Sequence, residues 1–259
     1  MALHTKEQLK KDLAALGIRR GNIVLMHASF KALGGIEDGA AGFFQAFIEY
    51  LGEDGTLVLP AFSYDFVTRE NPVFDRQNTP VCVGYMPEFF RTNVDGVIRS
   101  MHATHSCCAV GKYAKVLTEG HEKDLTPVGE NSPLTKLPKY NGKILMVGCG
   151  TTHNTAMHGV EELVGAPYCL NRENPVQYTL KDGDTVIKQT AYRHYFRTET
   201  GKHVEQRYDK LPPLLNEKEL SRGKLLDADC YLMDAKAVWE KGSKKMQESP
   251  FYFVDYPTD

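Results

Sequence analysis

The chain has 259 residues and nearly balanced charge, 31 Lys and Arg against 33 Asp and Glu. That length fits one large α/β domain or two small ones sharing a core. Balanced charge excludes a global field that would draw in nucleic acid or an anionic membrane, and no apolar run is long enough to cross a bilayer.

The opening residues, Met1 to Lys6, lack a cationic start followed by an apolar run, so a cytoplasmic rather than a secreted protein is expected. Leu9, Leu13 and Leu16 recur at helical spacing, with Thr5 as N-cap and Gly17 as stop. Ile23-Val24-Leu25-Met26 reads as a short buried strand ending in the loop His27-Ala28-Ser29-Phe30. Residues 39–51 form a second helix with Phe43, Phe44, Phe47, Ile48 and Leu51 inward, and Thr56 to Pro60 a second strand. Residues 63–87 lack periodicity and contain Asn71-Pro72 and Thr79-Pro80, which predicts a long ordered loop of functional kind.

A short helix follows at residues 86–91, then a second loop at residues 99–106 and a strand at Cys107-Cys108-Ala109-Val110. Ser132-Pro133 marks a helix start, with the serine as N-cap and proline at the first helical position. Residues 143–147 are a core strand, and Gly148-Cys149-Gly150-Thr151-Thr152 opens a helix near Asn154. Beyond Pro167, residues 176–179, 185–190 and 191–196 alternate apolar and polar, with a turn at Lys181-Asp182-Gly183-Asp184. These predict antiparallel strands packed against the main sheet. Residues 215–244 return to helix and strand. The succession predicts an α/β layer structure.

Several residue groups carry chemistry. His158 and Glu161 stand three apart on a predicted helix, hence on one face. A carboxylate there can hold one imidazole nitrogen and free the other as a base. A solvated helix-face pair has the same spacing, and from spacing alone it is the favoured reading. Gly148-Cys149-Gly150 offers backbone N–H groups at a helix start, but lacks the third glycine of a dinucleotide fingerprint. His102, His105, Cys107 and Cys108 are metal-ligand types, yet no second ligand pair has zinc spacing, and a polar loop entering a buried strand is favoured. Cys149 is a thiol near His158, and a small buried residue is favoured over a nucleophile. The six cysteines form no CxxC pair, so free thiols are expected.

The order of these motifs is more informative than any one of them. His27-Ala28-Ser29-Phe30 with Leu33-Gly34, Gly55 to Pro60, Arg99-Ser100-Met101-His102-Ala103-Thr104-His105-Ser106, Glu130-Asn131-Ser132-Pro133-Leu134 and Asn154-Thr155-Ala156-Met157-His158-Gly159-Val160-Glu161 resemble the aminoglycoside 3-N-acetyltransferase family. The match also takes in Phe74-Asp75, Thr79-Pro80, Phe90-Arg91 and Pro167-Tyr168, and is loose between about Tyr168 and Leu220.

The resemblance implies a three-layer α/β/α sandwich around a mixed sheet. With the alternating segments above, an antiparallel excursion is expected in the C-terminal third. One domain over residues 1–259 is expected, with 170–215 as a candidate small subdomain. The resemblance further implies direct acetyl transfer from acetyl-CoA to an amine of an amino sugar or aminoglycoside. Neither a metal nor a covalent intermediate is expected. His158 is the implied base and Glu161 its orienting partner. His27, Ser29, Phe30, Lys31, Arg99, Ser100, His102, Ser106, Ser132 and Leu134 are the implied acetyl-CoA contacts. The expected partner is a small-molecule amine, and a homodimer is compatible with the sequence. Alternatives are a biosynthetic N-acyltransferase for a glycan or natural-product amine, a non-catalytic CoA-binding protein, and a metal-dependent hydrolase using His102, His105 and His158.

Two departures from the family pattern carry expectations. Ala103 stands where proline is usual, so that loop loses a fixed φ and is expected to be looser. The region after Tyr168 is poorly matched, so an aminoglycoside acceptor does not follow from the resemblance alone.

Overall fold

The computed structural model describes residues 3–257; Met1 and Ala2 of the N-terminal reading lie outside the described residues. The first half runs α1 (Lys6–Leu16), β1 (Ile23–Ala28), α2 (Gly39–Leu51), β2 (Thr56–Pro60), β3 (Val73–Asp75), α3 (Tyr85–Asn93), β4 (Ile98–Arg99), β5 (Cys107–Gly111) and α4 (Ala114–Thr118). The second runs α5 (Pro133–Lys136), β6 (Lys143–Val147), α6 (Ala156–Val164), β7 (Val176–Asp182), β8 (Thr185–Ala191), β9 (Glu205–Gln206), β10 (Leu220–Leu225), β11 (Ala228–Asp234), α7 (Ala235–Glu248) and β12 (Val254–Asp255).

The main sheet has seven strands in the order β10-β11-β6-β1-β2-β5-β4. Its centre, β6-β1-β2, is parallel, and the strands on either side pair antiparallel, so the sheet is mixed. The apolar run of β1 serves both faces by alternation. Val24 and Met26 pack with Leu57, Leu59, Leu145 and the aromatic face of α2. Ile23 and Leu25 pack with Val58, Ile144, Met146 and the inner faces of α6 and α7. A strand buried on both sides reads as continuous hydrophobicity, which is why its periodicity alone was silent about the layers. The result is the expected three-layer α/β/α sandwich.

Local signals account for the helix limits. Thr5 caps α1 by accepting from the Gln8 N–H, and Gly17 ends it at φ 101°. Ser132 caps α5, with Pro133 at its start. Helix α6 lies so close to α7 that a Cβ on Gly159 would stand 2.6 Å from Trp239, so only glycine fits there.

Four expectations about local structure are corrected. Strand β1 does not stop at Met26 but continues through His27 and Ala28, which pair with Met146 and Val147. Residues 63–87 are not all loop, because Val73–Asp75 pairs in parallel with β7. Strands β7 and β8 form with β3 a separate three-stranded sheet around its own small core, rather than lying on the main sheet. Residues 191–196 are not a third strand. The Tyr192 N–H donates to the Leu125 carbonyl and the Tyr195 N–H to that of Cys169, so the backbone donors go to neighbouring loops and no ladder forms.

Candidate active site

The three parallel strands end on one side of the molecule. Helix α2, which follows β1, packs on one face of the sheet, and α6, which follows β6, packs on the other. Connections leaving to opposite faces open a crevice at the carboxyl ends of adjacent strands, where α/β sheets hold ligands. A cleft of about 480 Å³ lies there, lined by His27 and Ala28 of β1, Pro60 and Phe62 beyond β2, Cys149 beyond β6, and His158. A second cleft of about 310 Å³ is lined by Thr104, His105, Arg193, His194 and again His158. Tyr64 and Gln206 also line both clefts. His158 therefore stands where they meet.

The helical spacing of His158 and Glu161 turns both into one network. Glu161 is fully buried and accepts from the Tyr208 hydroxyl at 2.7 Å and the Tyr168 hydroxyl at 3.1 Å. Burial, then the neighbouring Glu161, pushes both phenols well above their ordinary range, so both remain donors. The Tyr208 proton points at Glu161, so its oxygen accepts from His158 Nδ1 at 2.9 Å; Glu161 Oε2 lies 3.4 Å from the same nitrogen. This network puts the His158 proton on Nδ1 and leaves Nε2 as a lone-pair acceptor, with no hydrogen-bond partner among the described residues.

Tyr208 was not foreseen. It sits on a single 3₁₀ turn in the loosely matched region, and nothing local in the sequence distinguishes it from the other tyrosines. In the sequence Tyr168 stands out only as half of the Pro167-Tyr168 pair.

His27, at the end of β1, has a related arrangement. Its Nε2 accepts the Thr155 N–H at 3.3 Å and the Thr155 hydroxyl at 2.8 Å, so the proton sits on Nδ1. That buried N–H has no partner among the described residues. Burial first, then His158 and His153, pushes His27 down to about 3, so its ring is neutral at physiological pH.

The other residues implied as coenzyme contacts lie elsewhere. Arg99 is buried. Its guanidinium donates to Ser106 Oγ and to the carbonyls of Ala61 and Thr79, and lies 4.7 Å from the Phe74 ring centre. Ser106 Oγ donates to the Ala61 carbonyl at 2.7 Å. Ser100 Oγ accepts the Cys107 N–H and bonds His121 Nδ1, both at 2.9 Å. His102 Nδ1 accepts the N–H groups of Thr104 and His105, and its ring stacks on His121. Ser132 and Leu134 are buried at the start of α5. Ser29, Phe30 and Lys31 lie just past β1, where Phe30 packs on Tyr85. Of the whole set, only His27 lines either cleft.

Ala103 corrects the expectation of a looser loop. It is fully buried, and its N–H, which proline would lack, donates to Gln189 Oε1 at 3.3 Å. Gln189 in turn donates to the carbonyls of Glu122 and Asp124 at 3.2 Å. The fixed φ is replaced by a buried hydrogen-bond tie. Cys149 lines the larger cleft, but burial pushes its thiol up, so the thiolate of a nucleophile is disfavoured. No group of three or more His, Cys, Asp or Glu able to hold a metal ion occurs among the described residues, so the histidines of residues 102 and 105 do not join His158 in one.

With this geometry in place, comparison with known proteins decides the family. The aminoglycoside 3-N-acetyltransferase family model matches residues 25–247. The chain belongs to the aminoglycoside 3-N-acetyltransferase family. It is 31% identical over 258 residues to aminoglycoside N(3)-acetyltransferase III of Pseudomonas aeruginosa, covering 90% of this chain and 89% of that one. It is 28% identical over 249 residues to the SPbeta prophage-derived aminoglycoside N(3')-acetyltransferase-like protein YokD of Bacillus subtilis strain 168, covering 88% and 87%. Among solved structures, AAC-IIIb in a binary complex with CoASH superposes with a TM-score of 0.82 at 25% identity over all of both chains. As a member of this family the protein is an N-acetyltransferase. No helix among the described residues is long and apolar enough to cross a membrane.

Proposed function

We propose that the protein transfers the acetyl group of acetyl-CoA to an amine of an amino sugar or aminoglycoside, with His158 as general base. The observation that carries this reading is the free Nε2 of His158 at the junction of two clefts, its other nitrogen tied to Tyr208 and Glu161. Two clefts meeting at one base suit two substrates that react with each other.

The larger cleft fits the coenzyme arm. Its walls are largely apolar, from Met26, Pro60, Phe62, Val83 and Pro87, and the unpartnered His27 N–H supplies one placed donor. The related AAC-IIIb was solved with CoASH. Acetyl-CoA supplies an activated acyl carbon and a thiol leaving group. His158 Nε2 takes a proton from the attacking amine and returns it to the departing sulfur. The Nδ1–H keeps its hydrogen bond to Tyr208 while the ring is charged, and Glu161 behind it stabilises that charge. General-base catalysis of this kind contributes about 10²–10⁴-fold. Cys149 remains a spectator thiol.

The acceptor cleft favours one end of the family's range. Among the described residues, neither cleft lining contains Asp or Glu. A polycation needs opposed charge to bind well. The linings therefore favour an amino sugar with few ammonium groups, of the kind met in glycan or natural-product biosynthesis, over a densely charged antibiotic.

The test is thiol release from acetyl-CoA across a panel running from glucosamine-type sugars to polycationic aminoglycosides. Turnover with at least one amine is expected, with kcat/KM higher for the less charged sugars. No release with any amine, or a stable acetyl-Cys149 found by mass spectrometry, overturns the proposal.

A further inference from the structure

Beside the His158 network stands a second hydrogen-bonded chain that the reading above leaves unused. His194 Nε2 lies 2.6 Å from Glu162 Oε1, and its Nδ1 lies 3.0 Å from His105 Nε2. His105 Nδ1 lies 2.9 Å from Thr104 Oγ1. All but Glu162 line the smaller cleft, next to His158. The ring centres of His194 and His158 are 4.9 Å apart.

The polarity of the chain follows from its buried end. Glu162 Oε1 also accepts the Val128 N–H at 2.9 Å, so it serves as an acceptor. His194 must then donate from Nε2 and accept at Nδ1. His105 donates from Nε2 and accepts at Nδ1, and Thr104 donates its hydroxyl proton. Every link points the same way, from the cleft toward Glu162. Burial, opposed by Glu162, holds His194 below its ordinary range, so the ring is neutral at physiological pH, with Glu162 there to pair with it when it is charged.

The reaction needs such a receiver. An ammonium acceptor carries three N–H bonds and the amide product keeps one. His158 cycles one proton to the departing sulfur. The other must leave before the nitrogen lone pair can attack.

We propose that Thr104, His105, His194 and Glu162 form a second proton-accepting chain that takes the first proton of the ammonium acceptor. The acceptor N–H breaks as an O–H forms on Thr104. The Thr104 proton passes to His105 Nδ1, and the His105 Nε2 proton passes to His194 Nδ1. The charge comes to rest on His194, paired with Glu162, and the proton later returns to solvent. No electrons change hands, and the only co-reactant is water. Of the groups facing His194, Glu162 and Glu161 of α6 favour its charging, while burial and His158 of the same helix oppose it; His105, with His102 behind it, faces it from residues 99–106. The neighbouring Arg193 guanidinium is bound to the carbonyls of Val67 and Tyr64.

This inference rests on the acyl transfer proposed above, and one experiment separates the two. The ratio of wild-type to variant kcat/KM is measured against pH for His194→Gln, Glu162→Gln and Thr104→Val, with glucosamine and gentamicin as probe acceptors. At neutral pH each variant is expected to lose about 10²-fold. The loss should shrink at least about tenfold as pH approaches the acceptor amine's own pKa, because the amine then arrives already deprotonated. A merely structural role would give a ratio constant with pH, and that result overturns the chain. Thr104→Val, which removes one hydroxyl at nearly constant volume, keeps the test decisive should His194→Gln fail to fold. Wild-type silence with every amine removes the transferase proposal and this one with it.

Discussion

Two stretches of this protein carry histidine and hydroxyl side chains, residues 99–106 more of them than residues 154–161, yet they place most of them differently. Residues 154–161 put His158 at the mouth of two clefts with one nitrogen free. Residues 99–106 turn Arg99, Ser100, His102 and Ser106 inward, where they bond to carbonyls, backbone N–H groups and one another. The difference lies in which part of the sheet each segment serves. The first opens a helix at the carboxyl end of a central parallel strand. The second links the short edge strand β4 to β5 and carries the β3-β7-β8 sheet on its other side. A polar motif is therefore evidence of a constrained place, and only its surroundings say whether it binds a ligand or supports the frame.

The largest expected effect belongs to the first stretch. His158→Ala should lower kcat by about 10²–10⁴-fold while leaving CoA affinity, read by calorimetry, intact. Retained turnover would end the general-base assignment.

Next comes the acid sensitivity of the second stretch. His102 is pushed down to about 3 and His105 lies well below 6.5, in each case chiefly through burial; outside the stretch, His121, stacked on His102, also lies well below 6.5, and His27 is near 3. The folded protein keeps these rings neutral while the unfolded chain takes up protons below about 6.5. Stability is therefore present above that pH and is lost as pH falls toward 3, by up to about 1.4 kcal/mol per pH unit for each ring. Urea midpoints measured at about pH 7 and about pH 5 should differ accordingly, and His121→Gln should flatten the slope. Equal midpoints would contradict neutral burial.

The smallest effect separates support from chemistry within the active site itself. Tyr208→Phe leaves His158 Nδ1 and Glu161 without their shared hydroxyl, a cost of about 1–3 kcal/mol, or between about fivefold and about a hundredfold in kcat. Tyr168→Phe, which touches Glu161 alone, should cost less. Loss of melting temperature with kcat unchanged in the first variant would make Tyr208 a packing residue.

Much of the frame was readable from residues in order. Thr5 and Gly17 bound a helix, residues 39–51 and 143–147 were bounded correctly, and the α/β succession was visible, because these depend on caps, turns and short-range periodicity. The edge of the site was less readable. Val73–Asp75 pairs with a strand about a hundred residues later, and no local pattern announces a three-residue partner. Residues 191–196 alternate like a strand, but loops on either side take their N–H groups. Ala103 looked like a loss of rigidity until Gln189 was seen to accept from it.

Local chemistry along the chain thus settled the limits of α1, α2 and β6 and put His158 and Glu161 on one helical face, and the order of the motifs carried the family resemblance. Long-range packing alone settled which polar residues face a cleft, that Tyr208 and Tyr168 complete the acid's hydrogen bonds, and that His194 meets both His105 and Glu162. The reason is physical. A helix face follows from 3.6-residue periodicity, whereas a proton path is built from donors and acceptors that folding brings together across the chain.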